Sequence, residues 1–148
     1  HADIVRWMGG PVERLLATGV FKDKNLNLNV ILNFSNKCMG HIQFNSLIKT
    51  DWQETLIIHG TKGSLYIKMF FPYSDTPSNA VFVSNEIDLR TSPLIVINRM
   101  YEDELEYFLN CILNNLEPEP NGYQAMEAQK IISAIEKSLE HESWTHVE

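Results

Sequence analysis

Asp3 and Trp7 stand four residues apart, a spacing that puts a carboxylate and an indole on one side of a short helix. Taken on residues alone, Asp3 reads as a helix cap, because an aspartate at a helix start accepts from the first backbone N–H groups. His41 and His59 form a second candidate pair, expected on neighbouring strands with both rings facing the same way. A metal would need further ligands, and none follows at a ligand spacing, so no metal site is expected. Tyr66, Tyr73 and Tyr101 could line a pocket, but packing at the edge of a core is the favoured account. Cys38 and Cys111 belong to no Cys-x-x-Cys pair. They read as buried free thiols, one in a strand and one on the apolar side of a helix, which suits a reducing cytoplasm. The sequence has no Gly-x-Gly-x-x-Gly unit between a strand and a helix, no P-loop and no nucleophile elbow. It therefore offers no dinucleotide cradle of its own.

The elements that must position these residues follow from periodicity. Ala2–Met8 reads as a short helix ended by Gly9-Gly10-Pro11, and Val12–Thr18 as a strand. Across Leu26–Phe34, Leu26, Leu28, Val30, Leu32 and Phe34 alternate with Asn27, Asn29, Ile31 and Asn33. That period of two is a strand with one covered face. Ser35-Asn36-Lys37 is a turn, with asparagine suited to a left-handed backbone, and Cys38–Leu47 returns as a second long strand. Gly60-Thr61-Lys62-Gly63 separates two apolar runs, Leu56–Ile58 and Leu65–Ile67, as a β-hairpin. Residues 71–79 form a loop; Ala80–Ser84, Glu86–Leu89 and Ile95–Asn98 are short strands. Tyr101–Asn115 is a helix with a stripe of Leu105, Phe108, Leu109 and Ile112. After Pro118 and Pro120, Asn121 caps a long helix with a stripe of Ala125, Ala128, Ile132, Ile135 and Leu139. Ser143–Val147 closes the chain as a strand. Strands followed by helices predict an α+β fold, a predominantly antiparallel open sheet with helices packed on one face.

With 148 residues, 44% of them hydrophobic and 21% charged, the chain is long enough for one globular domain spanning 1–148. The net charge is −7 and the 12 Lys and Arg are scattered, which argues against nucleic acid as a partner. No apolar run approaches the roughly 20 residues that span a bilayer, so no membrane partner is expected. The start shows no cationic stretch before a long apolar one, so no signal peptide is expected; with the free thiols, a cytoplasmic location is the expectation. Beginning inside a helix, the chain reads as a piece of a longer protein, with His1 a candidate non-native residue.

The ordered set of features resembles the C-terminal domain of the Gfo/Idh/MocA family of NAD(P)-dependent oxidoreductases. That family shows His-x-x-Asp-x-x-x-Trp followed by Gly and Pro; this chain has Asp3, Trp7, Gly9, Gly10 and Pro11. Asn36-Lys37 falls at the family's strand-pair turn, and Gly60 and Gly63 at its Gly-x-x-Gly. Glu104, Leu105 and Phe108 match its Glu-Leu-x-x-Phe helix. Pro120, Gly122, Ala134, Ile135 and Ser138 match its last helix. The resemblance covers nearly the whole chain.

It implies a substrate-binding and oligomerisation domain of an enzyme acting on a sugar, polyol or related hydroxylated substrate. NAD or NADP would be bound mainly by a missing N-terminal Rossmann domain, which also supplies a lysine, and the fragment alone would be inactive. The family histidine stands three residues before the aspartate, whereas His1 stands two before Asp3. His1 is thus the catalytic candidate one residue out of register, and Asp3 the candidate acceptor for substrate hydroxyls. A homo-oligomer is implied through the open sheet face, here Asn27, Asn29, Ile31, Asn33, His41, Gln43, Asn45, Tyr66 and Lys68. The competing reading is a non-catalytic interaction or ligand-sensing module with the same fold.

Overall fold

The structure is a computed structural model and describes residues 1–49, 54–69, 77–92 and 99–148. In chain order its elements are α1 (Ala2–Gly9), β1 (Val12–Lys22), β2 (Asn25–Phe34), β3 (Met39–Asn45), β4 (Glu54–His59), β5 (Gly63–Met69), β6 (Asn79–Ser84), β7 (Arg90–Thr91), α2 (Met100–Asn114), α3 (Gly122–His141) and β8 (Thr145–His146). The fold is α+β, as expected, but among the described residues it has two open antiparallel sheets of four strands each. The strands order as β3-β2-β1-β8 and β4-β5-β6-β7. The chain divides into two units, His1–Lys49 with Glu117–Glu148, and Thr50–Leu116.

The first unit is built on the alternation in β2. Val30, Leu32 and Phe34 are buried, and they share one face with Leu15 and Ala17 of β1. Ile131 and Ala134 of α3 close the other side of this core. The helix stripe expected from the sequence is turned by about one residue, because Ile131, Ala134 and Ser138 point inward while Ile132 is 41% exposed. Positions 131, 134 and 138 recur at three and four residues, so they form one face. Adjacent Ile131 and Ile132 give the sequence two registers of similar apolarity, and only contact with the sheet separates them. Asn121 starts α3 with a capping box, its side chain accepting from the backbone of Tyr123 and Gln124 while Gln124 returns a bond.

Near α1 the packing depends on missing side chains. A Cβ on Gly9 or Gly40 would run into the Phe34 ring, so both glycines let backbone lie against it. In the turn after β2 it is Lys37, not Asn36, that takes the left-handed backbone, at φ 71°. Asn36 uses its side chain instead, accepting from Cys38 N at 3.0 Å and donating to Gly9 O at 2.9 Å. β1 extends beyond the expected Thr18 to Lys22 because a two-residue turn at Asp23-Lys24 follows it directly.

In the second unit the hairpin forms as expected, with Ile58 paired to Leu65 and Leu56 to Ile67. Gly63 is buried, and a Cβ there would strike Val83 O and the Phe82 ring. Beyond β6 a short strand, β7, lies after the expected Glu86–Leu89 rather than in it. The α2 stripe departs from expectation: Leu105, Phe108, Leu109 and Ile112 are each more than half exposed, and Cys111 is the buried position. Spacing identified an apolar face but carries no information about what covers it. The strand expected at 95–98, most of the loop at 71–79 and Tyr73 within it lie outside the described residues.

Ser138 is fully buried; its Oγ accepts from Ala17 N at 2.9 Å and donates to Ser143 O at 2.6 Å. Replacing Ser138 by Ala leaves the buried Ala17 N–H without its partner, while Ser143 O keeps the Thr145 hydroxyl at 3.4 Å. Urea denaturation of Ser138→Ala is expected to show a loss of about 2 kcal/mol. An unchanged midpoint would mean that water or backbone shifts replace the hydroxyl.

Candidate functional site

The candidate residues at the start of the chain sit on α1, which ends where Gly10 N–H donates to Arg6 O and Gly10 takes φ +89°. The N-cap position is His1, without a side-chain cap bond, so Asp3 lies inside the first turn and is not the cap expected of it. Its charge still favours that turn, where backbone N–H groups point outward. Residues two apart on a helix do not face each other. The helix therefore does not bring His1 and Asp3 to one side, whereas the family's three-residue spacing would. The His1 ring meets Phe44 edge-on at 6.4 Å.

Asp3 faces residues three and four further on. Arg6 Nη2 donates to Asp3 Oδ1 at 3.4 Å. Trp7, on the same side, is 72% exposed. Carboxylate, guanidinium and indole thus line one side of α1, an arrangement suited to a hydroxylated ligand with an apolar face. Arg6 was not among the residues singled out from the sequence, although the Asp-x-x-Arg spacing carries the signal for the pair. Arg6 also lines a cleft of about 580 Å³, together with Val12, Glu127, Lys130, Ile131 and His146. There Lys130 donates to Glu127 at 2.8 Å, and that hydrogen bond holds the lysine above the usual lysine range.

His41 and His59 do not lie on neighbouring strands of one sheet. His41 lies in β3, with Nε2 3.3 Å from Asn29 Oδ1. His59 lies in β4, with Nδ1 2.9 Å from Ser64 Oγ and its ring edge-on to Tyr66 at 5.9 Å. The two strands belong to separate sheets, because the chain begins a new sheet after β3. For the same reason Tyr66 and Lys68 do not share a face with Asn27, Asn29 and His41. Tyr66 and Tyr101 are both exposed. Among the described residues no three His, Cys, Asp or Glu gather to hold a metal, and no helix is long and apolar enough to cross a membrane.

The open face of the first sheet carries Arg14, whose guanidinium lies 4.9 Å over the Trp144 ring. With the Asn33 amide turned, its oxygen accepts from Arg14 Nε at 3.1 Å. Asn27, Asn29, Ile31, His41, Gln43 and Asn45 continue this face, as expected, and Met39 adds an exposed apolar side chain.

Comparison with known proteins follows this geometry. The family model described as the oxidoreductase family, C-terminal alpha/beta domain, of the Gfo/Idh/MocA group matches residues 3–147. Among solved structures, a protein from Desulfitobacterium hafniense superposes with a TM-score of 0.84 at 17% identity, covering 99% of this chain and 45% of that one. Aldose-aldose oxidoreductase from Caulobacter crescentus, solved with glycerol, gives 0.80 at 15%, covering 97% of this chain and 44% of that one. Levoglucosan dehydrogenase with NADH gives 0.77 at 18%, covering 99% and 47%. The chain thus spans less than half the length of these structures. At such identities the likeness shows the fold. Among curated proteins, none matches this sequence.

Both thiols are expected in the interior, and Cys38 departs from that while Cys111 does not. Cys38 is exposed, one residue before β3, while Cys111 is buried; neither is in a disulfide. Alternation alone put Cys38 in the strand, but the Asn36 side chain takes its backbone N–H into the turn. Dithionitrobenzoate is expected to label one thiol rapidly in the native chain and the second only in denaturant. Peptide mapping should place the fast label on Cys38, and rapid labelling of both would contradict the burial of Cys111.

Proposed function

The chain belongs to the Gfo/Idh/MocA oxidoreductase family as its C-terminal alpha/beta domain, and from that we propose that it is the substrate-binding and oligomerisation domain of an NAD(P)-dependent oxidoreductase acting on a sugar, polyol or related hydroxylated compound. The observation that carries this is the family match over residues 3–147. The nicotinamide cofactor is bound mainly by a nucleotide-binding domain outside these 148 residues, since the sequence itself has no phosphate cradle. The fragment alone is inactive on this account, and its setting is cytoplasmic. Support for the substrate class comes from neighbours solved with levoglucosan, with L-sorbose and with glycerol.

Oxidising a secondary alcohol by hydride transfer also requires loss of the hydroxyl proton. The cofactor supplies hydride acceptance; this chain holds the hydroxylated carbon skeleton and its protons. Asp3, half-exposed on α1, accepts hydrogen bonds from substrate hydroxyls. His1 is the candidate proton acceptor. Of the two, Asp3 is the stronger assignment, because it matches the family motif in its spacing to Trp7. In the enzyme joined to its nucleotide-binding domain, Asp3→Asn is expected to lower kcat/KM about tenfold, the scale of one charge-assisted hydrogen bond. Thermal unfolding should stay unchanged. Unaltered kinetics would reduce Asp3 to a helix-end charge.

The open face of the first sheet is the oligomer surface in this proposal. It supports that role by its amide-rich character around exposed apolar Ile31 and Met39, since interface centres exclude charge while keeping hydrogen-bonding groups. A two-fold contact repeats each residue across the axis, so one new charge acts twice. Ile31→Glu is expected to convert the oligomer to monomers in light scattering behind size exclusion, with the monomer's circular dichroism unaltered. A wild-type monomer at high concentration, or an oligomer indifferent to the change, would remove this face from consideration.

A further inference from the structure

We infer that Arg6 is a positioning residue for Asp3, fixing one carboxylate oxygen so that the other is presented to the substrate. This rests on the assignment of Asp3 made above. Three observations lead to it. The Arg6 side chain is only 23% exposed, against 49% for Asp3, so the guanidinium is the held member of the pair and the carboxylate the presented one. Arg6 Nε is enclosed and, among the described residues, has no hydrogen-bond partner. Among the described residues, Asp3 is the one ionic partner of Arg6, through Nη2 alone.

An enclosed guanidinium nitrogen without an acceptor is a net cost to the fold. An aliphatic side chain could cover the same wall of the cleft without that cost. A single 3.4 Å contact between residues three apart on a helix returns little stability. The pair is therefore poorly explained as a stabilising device. It is well suited to giving a carboxylate a direction. Asp3 has few restraints of its own, since it caps nothing, but binding energy depends on the alignment of the acceptor. A guanidinium held by its surroundings on one side and touching Oδ1 on the other restricts rotation of the carboxylate. Oδ2 is then the oxygen left for a ligand hydroxyl. Lysine in place of Arg6 keeps the charge but not the planar set of donors.

The test has two arms. In the 148-residue chain, Hα–Hβ couplings of Asp3 measured by nuclear magnetic resonance should report one side-chain rotamer. In Arg6→Gln they should report averaging. Averaged couplings already in the wild type, or identical couplings in both, would overturn the inference. In the enzyme with its nucleotide-binding domain, levoglucosan, L-sorbose and glycerol serve as probe substrates. Arg6→Gln is expected to raise KM about tenfold with little change in kcat, and Arg6→Lys to recover part of the loss. The effect should vanish in the Asp3→Asn background, because two residues acting as one unit are not additive. If Asp3→Asn impairs the enzyme and Arg6→Gln adds its full effect to it, Arg6 does not act through Asp3 and the inference fails alone. If Asp3→Asn changes nothing, the assignment of Asp3 fails and the inference goes with it. A fall in melting temperature without a KM effect would make Arg6 merely structural.

Discussion

A long strand with a short partner leaves backbone donors to be satisfied, and the first unit depends on how that is done. β1 runs from Val12 to Lys22, but β8 pairs with it only at Arg14 and Leu15. The next inward-facing position, Ala17, is buried, and its N–H finds the Ser138 hydroxyl instead of a strand. The same hydroxyl donates to Ser143 O, at the turn that leads back into β8. One side chain thus closes the strand edge and ties down the end of α3. An alanine could fill the space but could accept nothing, and an unmet buried N–H is expensive. The bond also fixes the roll of α3, because Ser138 can reach Ala17 only with Ile131 and Ala134 turned to the sheet.

The candidate site inherits its geometry from that arrangement. α1 has eight residues and none fully buried. A helix of this length is not stable by itself, so its orientation comes from what it packs on. Ala2 and Val5 rest against the core that includes Ile131 and Ala134. Its far end is held by Asn36 Nδ2 on Gly9 O and by Gly9 lying against the Phe34 ring. The helix is thus held along one side and at its C-terminal end, while the Asp3 side chain stands half-exposed in its first turn. Restraint by Arg6 matters more for a carboxylate so placed than it would in the middle of a buried helix.

The sheet separates two kinds of surface by the pleat. Inward positions of β1 and β2 meet α3 and are apolar; outward, β2 carries Asn27, Asn29, Ile31 and Asn33 opposite Val20, Thr18, Leu16 and Arg14 of β1, and Arg14 lies over the Trp144 ring. Across β2 and β3 the His41 ring and the Asn29 amide meet on this face. The second unit repeats the alternation on its own hairpin, with Ile57, Tyr66 and Lys68 outward and Leu56, Leu65 and Ile67 half-buried.

By itself the sequence determined the α+β class, the hairpin around Gly60 and Gly63, and the inward set of β2, with the caps and breakers that bound α3. Those features depend on neighbours along the chain: period-two alternation, glycine at a reversal, asparagine at a helix start. The ordered motifs also pointed to the family. Tertiary structure alone decided that the strands split into two sheets, which put His41 and His59 on strands of different sheets and removed Tyr66 and Lys68 from the open face of the first. It chose Ile131 over Ile132 as the inward residue, because both suit a helix and only the sheet tells them apart. It left Cys38 outside its strand, through a side-chain bond from Asn36 that competes with strand pairing. It also moved Asp3 from cap to first turn and gave it Arg6, since an ion pair's worth depends on burial, which is a property of the packed molecule.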